Sequence, residues 1–284
     1  MEFHGRGGWP KPLPTGAEPF FLTRTRGSDM SSLGVVVPAF RPDVERLGTY
    51  LQDIADTLDP VVIRVELDDP DEATTAAVSD IGVSPVVVNT VDTRRGKGAA
   101  ITDGFEALGT DRLAFADADG STGAAELATV VAALEDADVA VGSRRHPESA
   151  VAGHQTLARR LLGDGFAWLA RRLLAVGLYD YQCGAKALSA EAWSAVRDHI
   201  HEPGFAWDIE LLAVAAAMEL RIREVPIRWE DKPGSTVAPV RTTLSMLRAL
   251  FVARHRAKRL QNSGVHRLLG VGEDPPALID REER

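Results

Sequence analysis

Short apolar runs alternate with helix-like segments through the first half of this chain, and this alternation limits the fold to one class. Continuous apolar runs are typical of strands buried on both faces; they are Leu33–Pro38, Val61–Leu67, Pro85–Val88, Arg112–Ala116 and Val139–Val141. Segments with helical periodicity lie between them; these are Val44–Leu58, Asp71–Ile81, Gly98–Leu108 and Ala124–Leu134. Repeated strand–helix units predict an α/β fold with a doubly wound, mostly parallel sheet.

The two ends of the chain depart from this pattern. Residues 1–30 are rich in proline, glycine and arginine and have no apolar periodicity, which predicts a disordered N-terminal extension. A single domain is predicted over residues 31–261. It includes two long amphipathic helices, at Gln155–Val176 and at about Val240–Leu260. Residues 262–284 are predicted to form a polar tail.

Composition and charge exclude several classes of protein. The 284 residues carry a formal net charge of −9, which argues against a nucleic-acid partner. Cys183 is the only cysteine, so no disulfide can form within the chain. No run of about 18 apolar residues occurs, and we therefore expect no transmembrane segment.

Two carboxylates one residue apart, Asp117 and Asp119, follow the apolar run Leu113–Ala116. Side chains two positions apart on an extended chain point to the same side, so both can converge just beyond the strand. Ligands bind at that edge of an open α/β sheet, and paired carboxylates suit Mg²⁺ or Mn²⁺ carrying a diphosphate. Aspartate and glycine are also common in solvated turns, which is the alternative interpretation.

A basic loop, Thr93–Gly98, joins the third predicted strand to a helix. Its glycines permit close backbone approach, the helix N-terminus favours anions, and Arg95 and Lys97 add positive charge. The loop is a candidate diphosphate site, although a surface turn with exposed arginines has the same composition. Its spacing is not that of a P-loop. The first strand runs into Pro38-Ala39-Phe40 and not into a glycine-rich loop, which counts against a Rossmann dehydrogenase and a sugar nucleotidyltransferase.

Further motifs follow one another between residues 33 and 260. In chain order the motifs are Val35-Val36-Val37-Pro38-Ala39-Phe40, Arg95-Gly96-Lys97-Gly98-Ala99-Ala100, Phe115-Ala116-Asp117-Ala118-Asp119-Gly120-Ser121-Thr122, Gly142-Ser143-Arg144, Tyr179-Asp180-Tyr181-Gln182-Cys183-Gly184-Ala185-Lys186, Phe205-Ala206-Trp207-Asp208-Ile209-Glu210-Leu211, Glu224-Val225-Pro226-Ile227-Arg228-Trp229 and Pro233-Gly234-Ser235-Thr236. In this order they resemble family 2 glycosyltransferases with a GT-A fold. Within that family, the chain is most similar to the dolichyl-phosphate glucose and mannose synthases, and to the glucosyl type in particular.

Two positions depart from the family's pattern. Asp68-Asp69-Pro70-Asp71 stands where the family usually has Asp-Asp-Gly-Ser, so the acidic pair that would read the nucleotide base is kept while the following loop differs. Phe40 is followed by Arg41-Pro42, where Asn-Glu is usual.

The resemblance implies an inverting transferase that moves a hexose from a nucleotide sugar, UDP-glucose for the glucosyl type, to a polyprenyl or dolichyl phosphate. It implies peripheral binding at the cytoplasmic face of a membrane, and a Mg²⁺ or Mn²⁺ cofactor on Asp117 and Asp119. The residues expected to contact the nucleotide are Pro38, Phe40, Asp69, Arg95, Lys97 and Asp117. The acceptor phosphate would bind Arg144 and Arg159, and the expected catalytic set is Asp119, Arg144, Arg159 and Asp208.

The chemistry of such an acceptor sets the tasks of the site. A phosphate monoester has a second pKa near 6, so its oxygen is largely ionised at neutral pH and can attack without a general base. Positioning and charge stabilisation remain, and two guanidiniums suit capture of the phosphate. Asp208 and Glu210 could each hold a sugar hydroxyl or act as a helix-start anion, and the functional role is favoured for Asp208. Lys186 is either a site residue or a structural ion-pair partner.

Two other functions remain open, a family 2 glycosyltransferase with a soluble or glycan acceptor and a non-catalytic nucleotide-sugar-binding protein. The predicted membrane-surface contact depends on the last helix, where helical spacing places Val240, Leu244, Leu247 and Phe251 on one side. Basic amphipathic helices bind anionic interfaces. The alternative is that this apolar stripe packs against the core.

Overall fold

The computed structural model describes residues 31–152, 157–230, 239–261 and 275–281. The strands are β1 (Leu33–Phe40), β2 (Val62–Asp68), β3 (Val86–Val91), β4 (Arg112–Ala116), β5 (Val139–Ser143), β6 (Ala150–Ala152), β7 (Ala185–Ser189), β8 (Ile222–Pro226) and β9 (Arg228–Glu230). The α-helices are α1 (Val44–Leu58), α2 (Glu72–Ser79), α3 (Lys97–Glu106), α4 (Ala124–Ala132), α5 (Leu157–Leu173), α6 (Ala190–Val196), α7 (Trp207–Ala217) and α8 (Pro239–Leu260). The predicted disordered extension at residues 1–30 lies outside the described residues.

Within the described residues, the main sheet has seven strands in the order β3-β2-β1-β4-β7-β5-β8. β1 pairs in parallel with β2 and β4, β2 with β3, and β5 with β8. β7 is antiparallel to both of its neighbours, β4 and β5. The predicted α/β class and the mostly parallel sheet are confirmed. The insertion of β7 between β4 and β5 is an addition that the alternation of strands and helices did not indicate.

Each face of the sheet is buried under helices, as a doubly wound fold requires. On β1, Val36 joins the apolar cluster formed with α3 and α7, while Val35 and Val37 join the cluster formed with α1 and α4. This alternation follows from the two-residue period of a strand. The carboxyl ends of β1, β2 and β4 therefore meet at one edge, since these strands run in the same direction.

The loop after β2 departs from the family's usual sequence but keeps a defined shape. Asp69 has a φ of 47°, a left-handed conformation that aspartate tolerates better than most residues. Asp71 then caps α2, because its side chain accepts a hydrogen bond from the Thr74 N–H at 2.7 Å. Hydrogen bonds from Thr74 lower the pKa of the Asp71 carboxyl. Asp71 thus caps α2, and serine, the usual residue of the family at this position, would be equally suited to that role.

The last long helix packs with a different face from the predicted apolar stripe. Met246, Leu250 and Ala253 are buried in the core cluster that α7 also lines. Phe251, which belongs to the predicted stripe, is 55% exposed. The side chains of Val240 and Leu244 lie outside the described residues.

Part of the predicted polar tail is packed on the domain. Residues 275–281 include Ala277 and Leu278, both buried. The Leu278 N–H donates to the Ile200 carbonyl at 2.8 Å, and the Arg281 guanidinium donates to the His201 carbonyl at 2.6 Å. These contacts attach the segment to the chain that precedes α7.

Candidate active site

Asp117 lies at the carboxyl end of β4, beside the start of β7. Its N–H donates to the Gly184 carbonyl at 2.9 Å, and its carboxylate packs directly over Gly184. A Cβ added to Gly184 would lie 1.9 Å from Asp117 Oδ2. Asp119 sits in the turn after the strand, where its Oδ1 accepts a hydrogen bond from the Ser121 N–H at 2.9 Å. The structure therefore brings the predicted acidic pair to the edge of the sheet, with Gly184 providing the room for Asp117.

Four charged side chains form an alternating chain behind this pair. Lys97 Nζ lies 2.8 Å from Asp117 Oδ1 and 3.4 Å from Asp208 Oδ2. The other oxygen of Asp208 is 2.5 Å from Lys186 Nζ. Lys186 is fully buried and also donates to the Cys183 carbonyl at 2.8 Å. We call this series Asp117–Lys97–Asp208–Lys186 the charge chain.

Lys97 stays protonated because of its surroundings. Burial opposes the charge on Lys97, but the carboxylates of Asp117 and Asp208 outweigh it and raise the pKa of this ammonium. Its nitrogen lies 5.1 Å from the Phe115 ring centroid, and that of Lys186 lies 5.6 Å from it. The electron-rich face of the ring adds to the stabilisation of the two cations.

The basic loop is fixed by carboxylates from β2. Arg95 donates to Asp68 and Asp103 at 2.8 Å each and to Glu66 at 2.9 Å. The Gly96 N–H donates to the second oxygen of Asp68 at 3.0 Å. All three nitrogens of the Arg95 guanidinium thus have acidic partners, whereas Lys97 is turned toward the acidic pair. The loop's predicted helix start is confirmed, because α3 begins at Lys97.

Arg144 follows β5 and is held in a bidentate ion pair. Its Nε and Nη2 lie 2.7 and 3.0 Å from the two oxygens of Asp180, and its guanidinium lies 5.6 Å from the Trp229 ring centroid. Burial would raise the pKa of Asp180, but Arg144 holds it well below the ordinary value. Glu224 in turn accepts the Asp180 N–H at 2.8 Å. Among the described residues, none accepts a hydrogen bond from Nη1 of Arg144.

The remaining predicted nucleotide residues lie where β1 and β2 end. Phe40 is flanked by two guanidiniums, with Arg94 at 4.0 Å and Arg41 at 5.0 Å from its ring centroid. Asp69 is exposed just beyond β2, and Pro38 lies within β1 opposite Glu66. The side chain of Arg159, in α5, lies outside the described residues.

Asp208 and Glu210 have different partners although they are two residues apart. Asp208 is 2% exposed, and both of its oxygens are taken by lysines of the charge chain. Glu210 accepts the N–H groups of His201 and Glu202 at 2.8 and 2.7 Å, and it pairs with Arg256 of α8. Glu210 therefore holds the chain segment that precedes α7. That segment borders the basic loop, because the Pro203 carbonyl accepts the N–H of Ala99 at 3.0 Å.

No role was predicted for three supporting acids, Glu66, Asp180 and Glu224, although Asp180 and Glu224 lie within the motifs. Glu66 is a charged residue inside an otherwise apolar strand, and it is fully buried among Arg64, Asn89 and Arg95. Such a residue needs a buried partner, and this could have been read from the sequence. The roles of Asp180 and Glu224 depend on contacts over 36 and 44 residues, for which the sequence carries no spacing signal.

The acidic pair fits a divalent cation by the chemistry of its donors. Asp117 and Asp119 offer hard oxygen ligands, and Asp117 already binds a cation in the form of the Lys97 ammonium. Among the described residues, no group of three or more histidine, cysteine, aspartate or glutamate side chains could hold a metal by itself. A cation on this pair therefore needs further oxygen ligands, of the kind that a diphosphate supplies.

Comparisons with known proteins agree with this geometry. No family model matches the chain. Over 252 residues it is 30% identical to the dolichyl-phosphate beta-glucosyltransferase of Homo sapiens, a match that covers 81% of this chain and 76% of the human protein. The mouse protein of the same name is 29% identical over the same shares. Glycosyltransferase AglD of Haloferax volcanii is 32% identical over 228 residues, which are 75% of this chain and 35% of AglD.

Two solved structures share the fold. Glucosyl-3-phosphoglycerate synthase from Mycobacterium tuberculosis, in complex with Mn²⁺, UDP-glucose and phosphoglyceric acid, has a TM-score of 0.59 at 17% identity and covers 79% of this chain and 80% of that one. Mannosyl-3-phosphoglycerate synthase from Rubrobacter xylanophilus also has a TM-score of 0.59, at 18% identity, with coverage of 86% and 77%.

The mostly parallel sheet with its covering helices is the GT-A fold of the glycosyltransferases. The 30% identity over most of the chain shows more than the fold. The chain belongs to the dolichyl-phosphate beta-glucosyltransferase family, and the protein is a glycosyltransferase.

The close contact between Asp117 and Gly184 generates a prediction. Gly184→Ala would place a methyl group on the Asp117 carboxylate, which must then rotate away from Lys97. We expect sugar transfer to fall by roughly 10- to 100-fold, because the displaced Asp117 carboxylate would lose one charge-assisted contact with the cation it is proposed to hold. Thermal stability should change little, because the movement of one short side chain relieves the clash. Gly109→Ala, where a Cβ meets nothing within 4 Å, is the control. Full activity of Gly184→Ala would show that the position of Asp117 does not matter.

Proposed function

We propose that this protein transfers glucose from UDP-glucose to a polyprenyl or dolichyl phosphate, with inversion at the anomeric carbon. One observation supports this most strongly. Asp117 follows β4 and Arg144 follows β5, and these two strands run in the same direction on either side of β7, so both residues lie at one edge of the sheet. The carboxylates suit the cation that accompanies a diphosphate leaving group, and the guanidinium suits a phosphate acceptor. Transfer between the two requires that both lie side by side. The names of the relatives supply the identity of the sugar and of the acceptor.

On the donor side, each group has a distinct task. The divalent cation, Mg²⁺ or Mn²⁺, would bind Asp117 and Asp119 and stabilise the charge of the leaving nucleoside diphosphate. Lys97 adds a cation beside the same diphosphate. Pro38, Phe40 and Asp69 lie where β1 and β2 end, and we propose that the nucleotide base binds there. Arg95 contributes by keeping the basic loop on Asp68 and Glu66.

On the acceptor side, Arg144 presents Nη1 while Asp180 fixes the rest of its guanidinium. The acceptor phosphate is largely ionised at neutral pH. Its oxygen forms the new bond to the anomeric carbon as the bond from that carbon to the nucleoside diphosphate breaks, so no base has to remove a proton. We assign Arg159 to the same phosphate. Asp208 acts through Lys97 and not on the sugar, because both of its oxygens are held by lysines.

We also propose that the protein works as a peripheral protein at the cytoplasmic face of a membrane. Among the described residues, none of the helices is long and apolar enough to cross a bilayer. Two large apolar side chains are nevertheless 55% exposed, Trp168 on α5 and Phe251 on α8. Arg172 lies 5.4 Å from the Trp168 ring centroid. An aromatic ring beside a guanidinium suits the boundary between lipid headgroups and acyl chains.

A soluble phosphorylated acceptor is the second candidate. It is favoured by one observation, the shared fold with a synthase whose complex holds phosphoglyceric acid. The same guanidinium would bind either acceptor, since both offer a phosphate monoester.

The reaction is tested by following radiolabel from UDP-glucose, UDP-N-acetylglucosamine and GDP-mannose, with Mn²⁺ and either polyprenyl phosphate or phosphoglyceric acid. We expect label from UDP-glucose to enter the organic phase with polyprenyl phosphate, and Asp119→Ala to abolish the transfer. Label that remains aqueous on phosphoglyceric acid would favour the soluble acceptor. Failure of all three donors to release nucleoside diphosphate would contradict the proposed donor.

The role of Arg144 is tested against its neighbour Arg145, which pairs with Asp164 and not with Asp180. Arg144→Ala should weaken the use of polyprenyl phosphate by roughly 10- to 100-fold, because a charge-assisted phosphate contact contributes roughly 1.5–3 kcal/mol. Arg144→Lys keeps a positive charge beside Asp180 and should weaken the use of polyprenyl phosphate by less than Arg144→Ala does. Calorimetry should show unchanged UDP binding in both. Lost UDP binding with normal acceptor use would move Arg144 to the donor side, and Arg145→Ala should change neither quantity.

Flotation with vesicles of anionic phospholipid tests the membrane proposal. The full chain should float at low salt, and Trp168→Ser with Phe251→Ser should reduce the bound fraction about tenfold or more, since burying a large apolar side chain contributes about 1.5–3 kcal/mol. Val61→Ser removes a side chain that is 63% exposed at the start of β2, and it should leave binding unchanged. A wild-type chain that stays at the bottom of the gradient would contradict the proposal.

A further inference from the structure

The ammonium of Lys97 lies on the carboxylate that the proposed function gives to a divalent cation. Its Nζ is 2.8 Å from Asp117 Oδ1, and the Lys97 side chain is only 11% exposed. A partly buried ion pair of this kind is screened less by solvent and salt than an exposed one. An incoming cation therefore has to compete with Lys97 for Asp117.

We infer that Lys97 is an exchangeable counter-cation, which must leave Asp117 when a divalent cation binds and is then kept in the site by Asp208 to meet the diphosphate. This inference rests on the proposed metal and nucleotide site, but it does not depend on the identity of the acceptor. Its consequence is that metal and nucleotide bind as a coupled pair. The metal alone binds weakly, and Lys97 is the cause.

Lys97 and a divalent cation would meet on the same carboxylate of Asp117. Two cations on one carboxylate repel each other, and the repulsion is strong where solvent is partly excluded. Movement of the side chain is therefore the available route.

Asp208 is the second anchor that limits this movement. Its Oδ2 lies 3.4 Å from Lys97 Nζ, longer than the 2.8 Å contact with Asp117, so this contact can tighten when the other is lost. Lys186 fixes Asp208 from the opposite side at 2.5 Å, and Lys186 is itself held by the Cys183 carbonyl. Asp208 and Lys186 are thus positioning residues that act on the substrate through Lys97.

The charges of the cluster explain why the nucleotide is needed. The charge chain contains two carboxylates and two ammoniums, so its formal charges cancel. With the carboxylate of Asp119 counted, a divalent cation added alone would leave an excess of one positive charge in a partly buried place, which is costly. A nucleoside diphosphate that arrives with the cation supplies the missing negative charge and a new partner for Lys97.

The test measures binding and not turnover. Three proteins are titrated with Mn²⁺ alone, and free Mn²⁺ is followed by electron paramagnetic resonance. They are wild type, Lys97→Met and the control Lys258→Met. The control removes a lysine of α8 whose hydrogen-bond partner is Gln261. Lys97→Met should bind Mn²⁺ about tenfold more tightly than wild type, because the competing ion pair is gone. In the presence of Mn²⁺, the same variant should bind UDP about tenfold more weakly. Lys258→Met should match wild type in both titrations.

The opposite signs of the two effects make the result decisive. Equal Mn²⁺ affinity in wild type and Lys97→Met would overturn the exchange, even if UDP and Mn²⁺ bind together. Lys97→Gln, whose amide can still contact Asp208, serves if thermal denaturation shows Lys97→Met to be unfolded. Absence of Mn²⁺ binding in every protein, with UDP present, would overturn the metal assignment and the exchange with it. The predicted pair of shifts without any sugar transfer would support the exchange while contradicting the proposed acceptor.

Discussion

The carboxylate of Asp208, shared between Lys97 and Lys186, is the interaction on which the arrangement of the site depends. It joins the start of α3 to β7, and Lys97 extends the connection to Asp117 at the end of β4. Taking any one of these charges out of water is unfavourable unless it has a partner. The alternation of signs along the charge chain satisfies each member, and removal of one member leaves its neighbour without compensation. The same requirement brings together charged groups from four elements, the end of β4, α3, α7 and β7.

The two flanks of the site are also held by acids that do not face the substrates. Asp68 and Glu66 fix the basic loop through Arg95 and the Gly96 N–H. On the other side, Glu224 holds the backbone of Asp180, which in turn fixes Arg144. Groups that are fixed before the substrate arrives need little reorganisation as charge develops in the transition state. The protein therefore uses its buried carboxylates to position its cations.

Much of the architecture could be predicted from the chain, because strand and helix periods are local signals. The parallel strands β1 to β5 are indicated by their apolar runs, and Asp117 and Asp119 are placed by their position directly after one of these runs. β7 could not be placed in the same way, since its antiparallel insertion between β4 and β5 depends on partners about 45 to 75 residues away. The pairing of Asp208 with two lysines was open for the same reason. Sequence reasoning could name Asp208 and Lys186 as charged residues near α7 and β7, but their contact spans 22 residues across two elements.

We propose that the charge chain forms the donor site, where Lys97 and a divalent cation compete for Asp117. Crystals grown with UDP and Mn²⁺ and measured at the manganese absorption edge would show whether this exchange occurs. We expect an anomalous peak bound by Asp117 and Asp119, with Lys97 Nζ displaced from its 2.8 Å contact with Asp117 and still paired with Asp208. A manganese peak away from this pair, or one beside an unchanged contact between Lys97 and Asp117, would contradict it.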